Sequence, residues 1–108
     1  MTADALDSYR REAAERLARL DGDLASLRAA RAVDNADDEH DPEGSTLSSD
    51  WSQLSGLRAE AQAQLREADE ALERVAAGTY GTCLRCGRRI PAARLAVRPA
   101  ASTCVSCA

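Results

Sequence analysis

The sequence predicts an all-α protein: a long antiparallel coiled-coil hairpin followed by a small module built on four cysteines. Three observations predict it. Two stretches of about 30 residues place apolar side chains at helical spacing. The two apolar patterns mirror each other about one point in the chain. All four cysteines fall in the last 26 residues, as two Cys-x2-Cys pairs. The chain has 108 residues, enough for one small domain or one with an appendage. Alanine accounts for 23 of them, and the aromatic residues are Tyr9, Trp51 and Tyr80, with no Phe. That is too little bulky side chain for one large core. Ala, Leu, Arg and Glu dominate, and all favour helix.

The first helix is expected from Asp4 to about Val33, a stretch without Pro. Its apolar stripe runs Leu6, Tyr9, Ala13, Leu17, Leu20, Leu24 and Leu27, in steps of three and four. The second is expected from about Ser48 to Ala77, with the stripe Trp51, Leu54, Leu57, Ala61, Leu65, Ala68, Leu72 and Val75. Each would be roughly 45 Å long at 1.5 Å per residue. Neither can bury its stripe alone, so the two should pair. In an antiparallel hairpin, facing residues have numbers with a constant sum. Leu27 with Leu54, Leu24 with Leu57, Leu20 with Ala61, Ala13 with Ala68, Tyr9 with Leu72 and Leu6 with Val75 all add to 81. Leu17 falls opposite Gln64, beside Leu65. A self-mirrored pattern points to a fold-back over one continuous helix.

The turn then lies in residues 34–45, DNADDEHDPEGS, which hold Asp34, Asp37, Asp38, Glu39, Asp41 and Glu43 around His40. Asp41-Pro42 can serve as an N-cap followed by Pro at the first helical position. A solvated acidic loop is one reading of this segment. The other is an acidic probe held at the end of the hairpin, where it can meet a bound divalent cation or a basic groove.

Charge divides the chain sharply. Residues 1–78 hold all 18 acids and nine Arg, a net of −9; residues 79–108 hold five Arg and no acid, a net of +5. Two parts are therefore expected: a helical hairpin over 1–78 with its acidic tip at 34–45, and a C-terminal module over 79–108. The overall charge of −4 opposes a general nucleic-acid binder. No stretch approaches the roughly 18 apolar residues of a membrane span, and the N-terminus lacks an apolar signal segment. A cytoplasmic protein is expected.

The cysteines read Cys83-x2-Cys86-x17-Cys104-x2-Cys107. Two such pairs are a strong signature of one structural Zn²⁺. The short spacing brings both thiolates of each knuckle to one ion. Gly87, just after Cys86, suits the left-handed turn that aims backbone N–H groups at the sulfurs. Four thiolates close a tetrahedral shell and leave no position for water or substrate. About 30 residues with so few bulky side chains need such a staple to fold. Arg85, Arg88 and Arg89 lie near the thiolates and are expected to offset their charge. Tyr80 and Ile90 are expected to pack over the site. An iron centre, a disulfide redox switch and a catalytic zinc are the rival uses of these cysteines, the last needing an open ligand set that the sequence does not offer. Residues 92–97, AARLAV, can be a short helical turn or a strand.

The segment GTYGTCLRCGRRIPAARLAVRPAASTCVSCA resembles the C4-type zinc finger of the DksA/TraR family. The resemblance rests on the GxC-x2-CG start, the Ile-Pro-x-x-Arg-Leu segment, the Arg98-Pro99 step and the closing CxxC. It is dense over the last 30 residues or so, and the hairpin extends it over most of the chain. The resemblance implies a transcription regulator that binds RNA polymerase directly, not a promoter sequence. It implies a coiled coil inserted into the secondary channel with its acidic tip near the catalytic Mg²⁺, acting on initiation and tied to starvation signalling, the stringent response. At the tip, Asp38-Glu39-His40-Asp41-Pro42-Glu43 supplies the family's Asp-x-x-Asp, with Glu43 where well-known members have Ala. Asp34-Asn35-Ala36-Asp37-Asp38-Glu39 is a second register, and the mirror point favours the first. Arg94 and Arg98 match positions that would contact the channel rim. Glu60 and Glu67 stand where a well-known member is basic, so a shared guanosine tetraphosphate site is not expected.

A non-enzymatic regulator is thus the leading expectation, acting as a monomer through Asp38, Asp41 and Glu43. The alternatives are a nucleic-acid-binding finger, supported by five Arg without an acid, and a redox sensor using the CxxC pairs. An enzyme is the least expected class, because there is no open metal site, no paired nucleophile and base, and no phosphate-binding Gly loop.

Overall fold

Two stretches rich in Ala, Leu, Glu and Arg, each free of internal Pro, form two long helices. The computed structural model describes residues 2–37 and 43–108, with side chains over 3–33 and 48–108. Helix α1 spans Thr2–Asp37 and α2 spans Glu43–Ala77. They are followed by a short α3, Ala92–Val97, and a 3-10 turn, Val105–Cys107. Among the described residues there is no β-strand; one isolated antiparallel bridge joins Thr82 and Arg89. The protein is all-α, and α1 and α2 pack together as a hairpin.

Both helices run further towards the turn than expected. α1 continues four residues past Val33, and α2 starts five residues before Ser48. Pro42 immediately precedes α2, with its φ preset for a first turn. Once a helix is nucleated, adding weak formers such as Gly44, Ser45 and Thr46 costs little. The tip residues Asp38 and Asp41, with His40, lie outside the described residues. Glu43 opens α2, and its side chain lies outside them too.

The chain divides into two compact units, one of residues 1–13 with 63–108 and one of residues 14–62. In the first, Leu6, Ala13, Ala68 and Ala71 are buried along the helix contact, with Tyr9, Leu65, Leu72 and Val75 half-buried. Arg10 on α1 pairs with Asp69 on α2 across one flank. In the second, Leu20, Leu24 and Ala61 are buried, and Leu17, Leu27, Trp51 and Leu54 are half-buried. Asp21 pairs with Arg58, and the Arg28 guanidinium lies 5.4 Å from the Trp51 ring centroid. The numbers of each of these three cross-helix pairs add to 79, a constant sum, as antiparallel packing requires. The offset of two from the apolar sum is that of partners bridging a flank, beside the apolar layers instead of in them. Both ion pairs are solvent-exposed, so each contributes at most about 0.2–1 kcal/mol. The apolar seam carries the pairing.

One expected seam residue is elsewhere. Leu57 is 43% exposed. Periodicity alone does not set it apart, since Val75, 18 residues or five full turns later, shares its angle on α2 and is half-buried. The next residue, Arg58, is half-buried and pairs with Asp21. Ala71, absent from the expected stripe, is fully buried.

Gly22 and Gly56 lie inside α1 and α2, and a Cβ at either would meet no atom within 4 Å. Gly22→Ala and Gly56→Ala should each stabilise the protein by about 0.5–1 kcal/mol. Thermal unfolding followed by helical circular dichroism checks this. An unchanged or lowered midpoint would show that these sites are more crowded than the structure shows.

Candidate metal centre

The last turn of α2 leads directly into the cysteine module. The helix ends in a Schellman motif, with Gly78 at φ 77°. The Thr79 N–H donates to the Arg74 carbonyl at 2.9 Å, and the Gly78 N–H to the Val75 carbonyl at 3.2 Å. The Tyr80 N–H also donates to the Arg74 carbonyl, at 3.2 Å. The Arg74 side chain reaches forward to the Ala100 carbonyl, at 3.4 Å. Arg74 thus holds both ends of the segment between α2 and the second knuckle.

The first knuckle is built from backbone. Cys83 N–H donates to the Arg88 carbonyl at 2.8 Å, and Ile90 N–H to the Gly81 carbonyl at 2.7 Å. Within this ribbon the Gly87 N–H closes a turn on the Cys83 carbonyl at 3.0 Å, with Gly87 at φ 74°. The positive φ is the conformation expected of this glycine. The Cys86 N–H points at the Cys83 sulfur, 3.5 Å away. The second knuckle is the 3-10 turn, closed by Cys107 N–H on the Cys104 carbonyl at 3.1 Å. Leu84 N–H to the Ser102 carbonyl, at 2.9 Å, ties one knuckle to the other.

These bonds bring Cys83, Cys86, Cys104 and Cys107 together, with all four sulfurs within 4.8 Å of one another. Cys86 Sγ and Cys104 Sγ are 3.8 Å apart. A tetrahedron of sulfurs at about 2.3 Å from Zn²⁺ has edges of about 3.8 Å, so the donor set and its spacing fit the ion. The site holds one structural zinc. Cys83 and Ile90 are each 2% exposed, the two largest buried groups of the module.

The side chains that frame the centre are arginine and tyrosine. Arg94, half-buried on α3, donates Nε to the Thr103 carbonyl at 2.9 Å, one residue before Cys104. Arg85 reaches the Cys107 carbonyl at 3.3 Å. Arg88 contributes its backbone carbonyl, while its side chain, like those of Arg89 and Arg98, is exposed. Tyr80 donates its hydroxyl to the Pro99 carbonyl at 2.6 Å, and burial pushes its pKa up, against a smaller lowering by Arg74. Residues 92–97 are helical, which aims Arg94 at the second knuckle. Sequence reasoning did not single out Arg74 as a brace. Its one signal was a cation in the last turn of α2.

With the geometry in place, the likeness to known proteins is specific. Residues 78–108 match the family described as prokaryotic dksA/traR C4-type zinc finger. The C-terminal finger is thus of the DksA/TraR type. The solved structure of transcription factor DksA2 from Pseudomonas aeruginosa is similar over 98% of this chain and 76% of that one, with a TM-score of 0.80 and 27% identity. An uncharacterized protein of Aquifex aeolicus is 52% identical over 46 residues, which is 43% of this chain and 32% of that protein. The match thus spans about a third of that relative's length. Among the described residues, no helix is long and apolar enough to cross a membrane.

The metal-free thiols are unequal. Backbone N–H groups, first that of Cys86, hold the Cys83 thiol down at about 6. Hydrogen bonding to the other cysteines, first Cys104, pushes Cys107 up to about 12. Zinc binds thiolates, so at neutral pH it must expel the proton from Cys107, while Cys83 is already ionised. Affinity should therefore fall as pH is lowered. Below pH about 6 the slope should steepen by about one further proton, as Cys83 also has to be deprotonated. Competition with a chromophoric chelator between pH 5 and pH 8 (roughly the range over which zinc-site linkage is readable) measures it. A flat profile would contradict this proton count.

Proposed function

We propose that this protein is a transcription regulator that binds RNA polymerase directly. In this proposal the α1–α2 hairpin enters the secondary channel and modulates initiation. The observation that supports it best is the similarity, over nearly the whole chain, to a solved transcription factor, together with the family match of residues 78–108. A closed four-thiolate centre has no position for substrate, which supports a binding role over catalysis.

The roles divide by charge. The chain between α1 and α2 supplies Asp38 and Asp41, and Glu43 opens α2. These carboxylates act electrostatically on the polymerase near its catalytic Mg²⁺ or the mobile elements around it. The finger, with five arginines and no acid, contacts the channel rim. Arg98 is exposed and free for such a contact. Arg94 is half-buried and bonded to Thr103, so it shapes the rim surface and adds charge behind it. The protein acts as a cytoplasmic monomer. Glu60 and Glu67 are exposed acids on α2, which disfavours a shared guanosine tetraphosphate site there.

The test is transcription in vitro with purified polymerase and the Asp38→Asn/Asp41→Asn variant. The variant should still bind polymerase, within about twofold, while its effect on initiation falls by about tenfold or more, as when a preorganised charge near a reacting centre is removed. A fully active variant would sink the tip mechanism, and a wild-type protein that does not bind polymerase would sink the proposal itself.

A further inference from the structure

Leu57 is an exposed leucine on a helix whose seam should have covered it. It does not stand alone. In the unit of residues 14–62 it lines a groove of about 460 Å³ with Leu27, Ala30 and Leu54, between α1 and α2. Asp23 and Ser26 on α1 and Asp50 and Gln53 on α2 complete a lining whose exposed surface is mostly apolar. Among the described residues neither carboxylate is in an ion pair. Of the arginines in this unit, Arg58 is paired with Asp21, and Arg28 lies over Trp51.

A mostly apolar groove with two unneutralised carboxylates has a definite complement. We propose that this groove docks a basic amphipathic helix of the polymerase, seating an apolar side chain against Leu57 and placing Lys or Arg against Asp23 and Asp50. Helix-in-groove recognition has this form, with apolar anchors and charges at the margin. Charge decides the occupant. Residues 14–62 carry eleven acids and five arginines, so a nucleic acid is repelled. A second copy meeting face to face would bring its own Asp23 and Asp50 against the same charges, and its basic finger offers no α-helix longer than six residues. The site rests on the polymerase reading above and adds an anchor along the hairpin, separate from the tip.

The experiment uses the full-length protein and core polymerase, in equilibrium competition binding at several salt concentrations. Leu57→Ser should weaken binding about tenfold, the size of a central apolar anchor, and Leu57→Met should restore most of it. Asp23→Asn/Asp50→Asn should weaken binding severalfold and flatten its salt dependence. All three variants should melt like the wild type, since these side chains are at the surface. A photocrosslinking residue at position 57 should label a polymerase helix rich in Lys or Arg. Wild-type binding with undisturbed variants overturns this site alone. A crosslink to a second copy, or to a segment without basic residues, does the same. A wild-type protein that fails to bind core polymerase overturns the polymerase reading and this site together.

Discussion

Four sulfurs gathered around one ion are what the C-terminal 30 residues have in place of a core. In that module only Cys83 and Ile90 are large and fully buried. The backbone makes no strand beyond a single bridge, and the only regular elements are one six-residue helix and one turn. Burying a side chain such as Ile90 contributes about 1.5–3 kcal/mol, far less than ordering 30 residues costs. Metal coordination supplies the difference. The composition follows from that constraint. A zinc with four thiolates carries a charge of −2, and the module around it has arginines and no acid.

The same constraint reaches into α2. The helix end is capped by Gly78, and its last turn is held through the Arg74 carbonyl and guanidinium. The guanidinium bond ends on Ala100, four residues before Cys104. Tyr80 and Arg94 add bonds to Pro99 and Thr103 in the same short strand of chain. Residues 99–103 form no helix or strand, and the carbonyls of Pro99, Ala100 and Thr103 accept from side chains while that of Ser102 accepts from the Leu84 N–H. The position of the second knuckle is thus set by three side chains from the rest of the unit.

Much of this was legible in residue spacing, because the signals were periodic or geometric. Steps of three and four gave both helices, and the mirror sum gave their antiparallel pairing. The Cys-x2-Cys spacing gave the ion, and Gly87 its turn. The failures have physical causes. Leu57 was assigned to the seam by its hydrophobicity and spacing, yet it is exposed while its neighbour Arg58 is half-buried and pairs with Asp21. Ala71 was passed over because a methyl group gives little pattern signal, yet it is wholly enclosed. The helix extensions towards the turn depend on propagation, which local propensity understates. Arg74 acts through a contact 26 residues away, which no local pattern reveals. Arg94 matched a family position, but its bond to Thr103 depends on α3 being helical.

The seam itself is unusual in what fills it. Ala13, Ala61, Ala68 and Ala71 are buried where other helical pairs place leucine. A methyl group lets two backbones approach to about 8 Å, the short end of helix packing. Stability per layer is sacrificed, and close approach is what is gained. A larger residue at any of these layers would add apolar contact and push the two backbones apart at the same time. Alanine therefore works here as a calliper, setting how near the helices can lie at each layer it fills.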